Sequence, residues 1–155
     1  MIHARPRCEK KIEALCRHEG IEIYLPVREK VHVYGARVRR FTMPLFPGYL
    51  FCRGDLAGRR FVRQNQNVAN LIEVVDQAGL IATLDSIRLA LSVGEVEEVF
   101  PFLKQGQPVR ITDGPLKGVE GIVERWKDRA RVIINVEMIQ QSVAAEVEAQ
   151  HLAAV

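Results

Sequence analysis

The residues with the widest chemical repertoire in this 155-residue chain are four histidines and three cysteines, and their spacing supports no reaction. His3, His18, His32 and His151 are scattered without a metal-ligand interval, and Cys8, Cys16 and Cys52 contain no Cys-x-x-Cys pair. An odd cysteine count without that spacing indicates neither a disulfide framework nor a zinc site, so the thiols read as small core residues. There is no Gly-x-Ser-x-Gly elbow and no phosphate-binding glycine loop, and no cysteine has an evident base partner. A binding protein is expected rather than an enzyme, with no catalytic residue, no metal and no cofactor.

Binding chemistry, by contrast, is concentrated in two kinds of residue. Residues 1–64 hold 14 Lys/Arg against 6 Asp/Glu, residues 65–100 hold 1 against 6, and residues 101–155 hold 7 against 7. The net +3 therefore hides a basic first segment, which suits steering and counterion release on nucleic acid as well as it suits a solvated surface. Three aromatics, Phe46, Tyr49 and Phe51, fall within six residues around Pro47-Gly48. Such rings bury much area at little entropy cost and make effective interface anchors. Phe51 reads equally as core, whereas Phe46 and Tyr49 read as interface ahead of core.

The elements that must position these residues follow from periodicity. Pro6 at a first helical position, Cys8, Ile12, Leu15 and Cys16 on one face and Gly20 past the last turn predict an amphipathic helix, with Arg7, Lys10, Lys11 and Arg17 outward. Ile21, Ile23 and Leu25 alternate as a strand. Val31 and Val33 begin a hairpin that reverses at Gly35-Ala36 into Arg37–Thr42, a charged β-ribbon with Arg37, Arg39 and Arg40 at its tip. Tyr49–Arg53 is apolar enough for a central strand. Asp55 caps a helix over Leu56–Gln64, Val68–Val75 is strand-like, and Asp76–Gly79 is a turn. Ile81, Leu84, Ile87 and Leu91 then keep helical spacing up to Gly94. The fold class expected is α+β, helices packed on an antiparallel sheet over residues 1–94. An acidic linker at 95–103 and a small β-barrel over 104–155 follow, the latter punctuated by Asp113-Gly114, Gly118 and Gly121. No apolar run reaches bilayer-spanning length, and the N-terminus lacks the apolar core of a signal peptide. A cytoplasmic monomer without membrane contact is expected.

The segment from Gly106 through Val123, with Asp113-Gly114-Pro115, Gly118 and Gly121, resembles the KOW motif of transcription elongation factors and ribosomal proteins. His3–Lys10, Gly20–Pro26 and Pro44–Phe51 are similar in order and spacing to the NusG N-terminal domain. Together they cover nearly the whole chain, which is identified as a member of the NusG family, on the side of its specialised RfaH-like paralogues. The resemblance implies an NGN fold that docks on the clamp helices of RNA polymerase, bridges the cleft and suppresses pausing or termination. It implies docking through His3, Phe46, Pro47, Tyr49 and Phe51 and a second polymerase contact at Arg59 and Arg60. It also turns Arg5, Arg7, Lys10, Lys11 and Arg17 toward DNA of the elongation complex, where phosphate contact needs charge and reach but gives no base readout. His3 stands where an aromatic is common, and Met1 where relatives carry a further Trp-Tyr stretch, so a short first strand is expected. The last barrel loop reads Ile139-Gln140-Gln141 where housekeeping members carry a Phe-Gly-Arg-like segment. An apolar tip remains there for a partner such as a ribosomal protein or Rho, but the loss of glycine and charge favours a specialised antiterminator. The alternative is a KOW-type ribosome-associated RNA-binding protein, which has no need of the Phe46–Phe51 block.

One conflict concerns the C-terminus. Ile139, Val143 and Val147 share a face in a helix and in a strand alike, and the Ala-, Glu- and Gln-rich tail favours helix. The β-branched residues Val109, Ile111, Val132, Ile133, Ile134 and Val136, with the glycine turns, favour a barrel. Strands are expected to about Val147, followed by a helical or frayed tail.

Overall fold

The computed structural model describes residues 1–101, 106–126 and 129–155 and divides into two compact units, Met1–Val75 and Asp76–Val155. The first contains β1 (Ile2–Ala4), α1 (Glu9–His18), β2 (Glu22–Tyr24), β3 (Val27–Tyr34), β4 (Arg37–Pro44), β5 (Tyr49–Arg53), α2 (Leu56–Gln64) and β6 (Val68–Leu71). Its main sheet is antiparallel in the order β2-β5-β1-β6. β5 is central, as its apolar run requires, with Leu50 and Phe51 buried. Ile2, Ala4 and Leu50 from the sheet, Ile12 and Cys16 from α1, and Leu25 and Val62 form one core.

Helix α1 starts later than Pro6 suggests. Cys8 N donates to Arg5 O at 3.1 Å, and Arg7 adopts φ 61°, so Pro6-Arg7 occupies the middle of a tight turn and the helix begins at Glu9. A proline fixes its own φ but leaves the next residue free to leave the helical region. Leu15, expected on the apolar face, is exposed, whereas Ile12 and Cys16 are buried in the core and Cys8 packs against it. The hairpin matches its expected register: β3 and β4 pair from Val27↔Pro44 to Tyr34↔Arg37 around a two-residue turn with Gly35 at φ 58°. Asp55 caps α2, its Oδ1 accepting from Gly58 N at 2.8 Å.

The second unit contains α3 (Gln77–Ser92), β7 (Val96–Pro101), β8 (Gln107–Ile111), β9 (Glu120–Trp126), β10 (Arg129–Val136), β11 (Gln141–Glu148) and β12 (Leu152–Ala154). Asp76 opens α3 as a cap, its Oδ1 accepting from Gly79 N at 2.9 Å, so the expected turn is the first turn of the helix. Leu84, Ile87 and Ala90 are buried and α3 packs on β10, while Ile81 is exposed. The six strands form one antiparallel sheet in the order β12-β8-β9-β10-β11-β7. This is compatible with the barrel expected, but among the described residues β12 and β7 remain its two edges and the sheet does not close.

Two segments of this unit differ from their sequence reading. Val96–Pro101, inside the acidic stretch read as a linker, is strand β7, hydrogen-bonded to β11 from Val96↔Ala145 to Pro101↔Gln141. The tail is helical for one turn only: β11 ends at Glu148, close to the expected Val147, a 3-10 turn covers Ala149–His151, and then β12 pairs with β8 rather than fraying. Helix propensity over so few residues does not outweigh a ready ladder partner. Residues 102–105, the end of the expected linker and the start of the expected barrel, lie outside the described residues. Gly121 is required by proximity, since a Cβ there would meet Ile133 O at 2.5 Å across the β9–β10 pair.

Candidate functional site

The Pro44–Phe51 block is an ordered turn leading into β5. Leu45 N donates to Pro26 O at 2.8 Å, Tyr49 N to Phe46 O at 3.1 Å, and Ala4 N to Gly48 O at 2.8 Å, which ties the block to the end of β1. Gly48 holds φ 87°, a conformation that an L side chain resists, and its N–H donates to Glu9 Oε1 at 2.8 Å. Glu9 is buried in the first turn of α1, where the helix dipole also favours its charge. This carboxylate fixes the turn from below. On β1, His3 is the register partner of Tyr49, and the two rings stack with centroids 5.1 Å apart and planes at 15°. The His3 ring lies beside Gly48, whose missing Cβ would sit 3.6 Å from His3 Cδ2.

The five residues expected at the docking surface thus divide. His3 and Tyr49 are half-buried and stacked, and Pro47 is exposed beside them. Phe46 and Phe51 are buried, 0% and 5% exposed. For Phe51 this is the core alternative. For Phe46 it corrects the expectation of an exposed anchor: the Pro44–Gly48 turn points its ring inward.

Arg59 and Arg60 lie exposed on α2, with Arg59 paired to Glu73 at 3.2 Å and Arg60 making no ion pair among the described residues. Of the cations near α1, Arg17 is paired with Glu13 at 2.7 Å, and Lys10 Nζ donates to Thr42 O on β4 at 2.7 Å. Arg5, Arg7 and Lys11 are exposed, and among the described residues their side chains have no partner. In the second unit Gln140 takes φ 51° after a 3-10 turn at Glu137–Ile139, with Nε2 donating to Glu137 O at 2.6 Å. Ile139 is buried rather than an apolar tip, and Met138 is the exposed apolar side chain of that loop. A three-residue turn must point one apolar residue back at the sheet, and position rather than residue type decides which.

Sequence reasoning missed three rings on the ribbon. His32 stacks on Tyr34 at 5.8 Å and 18°, and meets Phe41 edge-on at 5.6 Å and 73°. Alternation of Lys30, His32 and Tyr34 on one strand with Arg37, Arg39 and Phe41 on the next was the available signal. Among the described residues no group of three or more His, Cys, Asp or Glu could hold a metal ion. Burial pushes the Cys16 thiol up to about 11 and raises that of Cys52, which makes both poor nucleophiles at neutral pH.

An α+β unit with a supported ring pair and a cationic ribbon is thus followed by a unit of one helix and a six-stranded antiparallel sheet with glycine turns. The model of one protein family, described as transcription termination factor nusG, matches residues 1–120, and the chain belongs to the NusG family. That family consists of non-enzymatic factors of transcription elongation and antitermination that interact with RNA polymerase. Comparison with curated proteins finds no match. No helix among the described residues is long and apolar enough to cross a membrane.

Proposed function

We propose that the chain is a specialised, RfaH-like antitermination factor that docks on RNA polymerase through its first unit and recruits a partner through a KOW-type second unit. The observation that carries this reading is the His3–Tyr49 stack, a partly exposed aromatic pair braced by Glu9 and Gly48 and flanked by exposed Pro47. Preorganised rings lose little freedom on binding, which is what an anchor requires. Phe46 and Phe51 support this surface from inside, Arg60 and the Glu73-paired Arg59 supply the second polymerase contact, and Arg5, Arg7 and Lys11 reach phosphates of DNA in the elongation complex. Lys10 and Arg17 belong to the same face but must first release Thr42 O and Glu13. The loop at Gln140 and Gln141, with Met138 taking the role expected of Ile139, meets a partner such as a ribosomal protein, while its lost glycine and charge disfavour Rho.

The test is co-purification followed by single-round transcription. Polymerase core subunits retained on the tagged chain, and shorter pauses in its presence, are the expected results. Ribosomal particles retained without polymerase would instead favour a ribosome-associated RNA-binding protein.

A further inference from the structure

The ribbon β3–β4 has two chemically different faces. Register pairs put His32, Tyr34 and Phe41 on one face together with Lys30, Arg37 and Arg39. The other face carries Val27, Val31, Val33, Val38 and Thr42, with Glu29 and Arg40 paired at 3.7 Å. Among the described residues Lys30, Arg37 and Arg39 have no anionic partner, and the aromatic face holds no carboxylate. Tyr34 and Phe41 are 60% and 42% exposed, although a fold gains nothing by leaving such rings in water.

We propose that this aromatic, cationic face of the ribbon binds a single-stranded RNA segment. Rings stack on the π-face of any unpaired base, and interleaved cations neutralise the phosphates between bases, a pairing of chemistries that neither a duplex nor an apolar protein partner matches. Duplex DNA hides its base faces inside the stack, whereas RNA is the polynucleotide ordinarily presented with bases splayed out, and aromatic and guanidinium planes are its usual platforms. The two-residue turn with Gly35 at φ 58° holds the ribbon in one register, and the edge-on contact of Phe41 with His32 fixes the rings relative to one another before any ligand arrives. This proposal stands independently of polymerase docking.

The experiment is fluorescence anisotropy of the full chain with a fluorescein-labelled ten-nucleotide oligouridylate, compared with oligothymidylate of the same length and a DNA duplex, across a salt series. The expected result is saturable binding to oligouridylate that exceeds binding to the duplex at least tenfold, with oligothymidylate bound no tighter than oligouridylate. Removing both exposed rings, Tyr34→Ala with Phe41→Ala, should weaken binding at least tenfold. The ring-preserving pair Tyr34→Phe with Phe41→Tyr should retain it, and Val31→Ser with Val38→Ser on the opposite face should leave it unchanged. Arg37→Gln with Arg39→Gln should lower the salt slope by about 1.4, at about 0.7 per phosphate contact on a single strand. Absence of saturable binding, equal binding by the ring-deleted variant, duplex binding as tight as RNA binding, or tighter binding of oligothymidylate would each overturn the proposal. Because no polymerase is present, a chain that binds RNA here yet fails to co-purify with polymerase would sink the docking reading alone.

Discussion

His3 and Tyr49 are register partners on adjacent antiparallel strands, and their rings stack at 5.1 Å. The strand pairing sets the ring pair, so either ring can be removed without unpairing the sheet. His3→Ala with Tyr49→Ala is therefore expected to fold and to weaken polymerase binding by at least about 2 kcal/mol, the scale of an interface anchor. A double-mutant cycle should show coupling between the two positions. A folded double variant with unchanged affinity would remove the pair from the docking surface.

Glu9 braces the turn beside this ring pair by accepting from Gly48 N at 2.8 Å. Glu9→Ala leaves this amide without its acceptor and is expected to cost about 1–3 kcal/mol in urea unfolding. Glu9→Gln keeps an acceptor oxygen and should cost less. Equal losses in the two variants would mean that the hydrogen bond is not what Glu9 contributes.

Phe46 is wholly buried. Phe46→Ala is expected to destabilise the fold by about 3–5 kcal/mol, and any loss of polymerase binding should follow from unfolding. A near-neutral midpoint shift with a specific loss of binding would restore Phe46 to the interface.

At Gly121 the obstacle is backbone, with Ile133 O 2.5 Å from a built Cβ. Gly121→Ala should cost about 1–3 kcal/mol through forced displacement of β9 from β10. Gly54→Ala is the control, since its nearest neighbour would lie 3.8 Å away, and a change within about 0.5 kcal/mol is expected. Similar costs at both positions would argue against the close approach.

Burial raises the Cys16 thiol from 9.0 to about 11. Above pH 9 the unfolded chain loses this proton while the folded chain keeps it, so the unfolded state binds fewer protons and stability falls as pH rises from about 9 to 11. Cys16→Ala should flatten this part of the stability profile. An unchanged slope in the variant would assign the alkaline loss to other groups.

What the sequence made legible was whatever local pattern controls. The β3–β4 register follows from Gly35-Ala36 between alternating strands, and the central place of β5 follows from a run too apolar for an edge. Gly118 marked a turn because its positive φ is a local requirement, and Gly121 was legible by residue type although the backbone it approaches, Ile133 O, lies on the next strand. Less legible were features set by distant partners. Nothing local distinguishes an inward Phe46 from an outward one in a turn flanked by two prolines. Val96–Pro101 looks like a linker because Glu97 and Glu98 interrupt it, yet backbone pairing with β11 makes it a strand. Ile139 and Met138 illustrate the same limit at one-residue scale, as do the ribbon rings, whose grouping on one face appears only once cross-strand register is known.

The pairing of β12 with β8 joins Ala154 to Val109 and Leu152 to Ile111, with Val155 N reaching Pro108 O at 3.2 Å. During translation β9 and β10 can form on β8 as soon as they emerge, but the other side of β8 has no mate until residues 152–154 have been made. For that interval the nascent chain presents a bare strand edge, the arrangement most open to pairing with a neighbouring polypeptide. Pro108 lies on that strand and lacks an N–H, so it breaks the row of donors that an intruding strand would need.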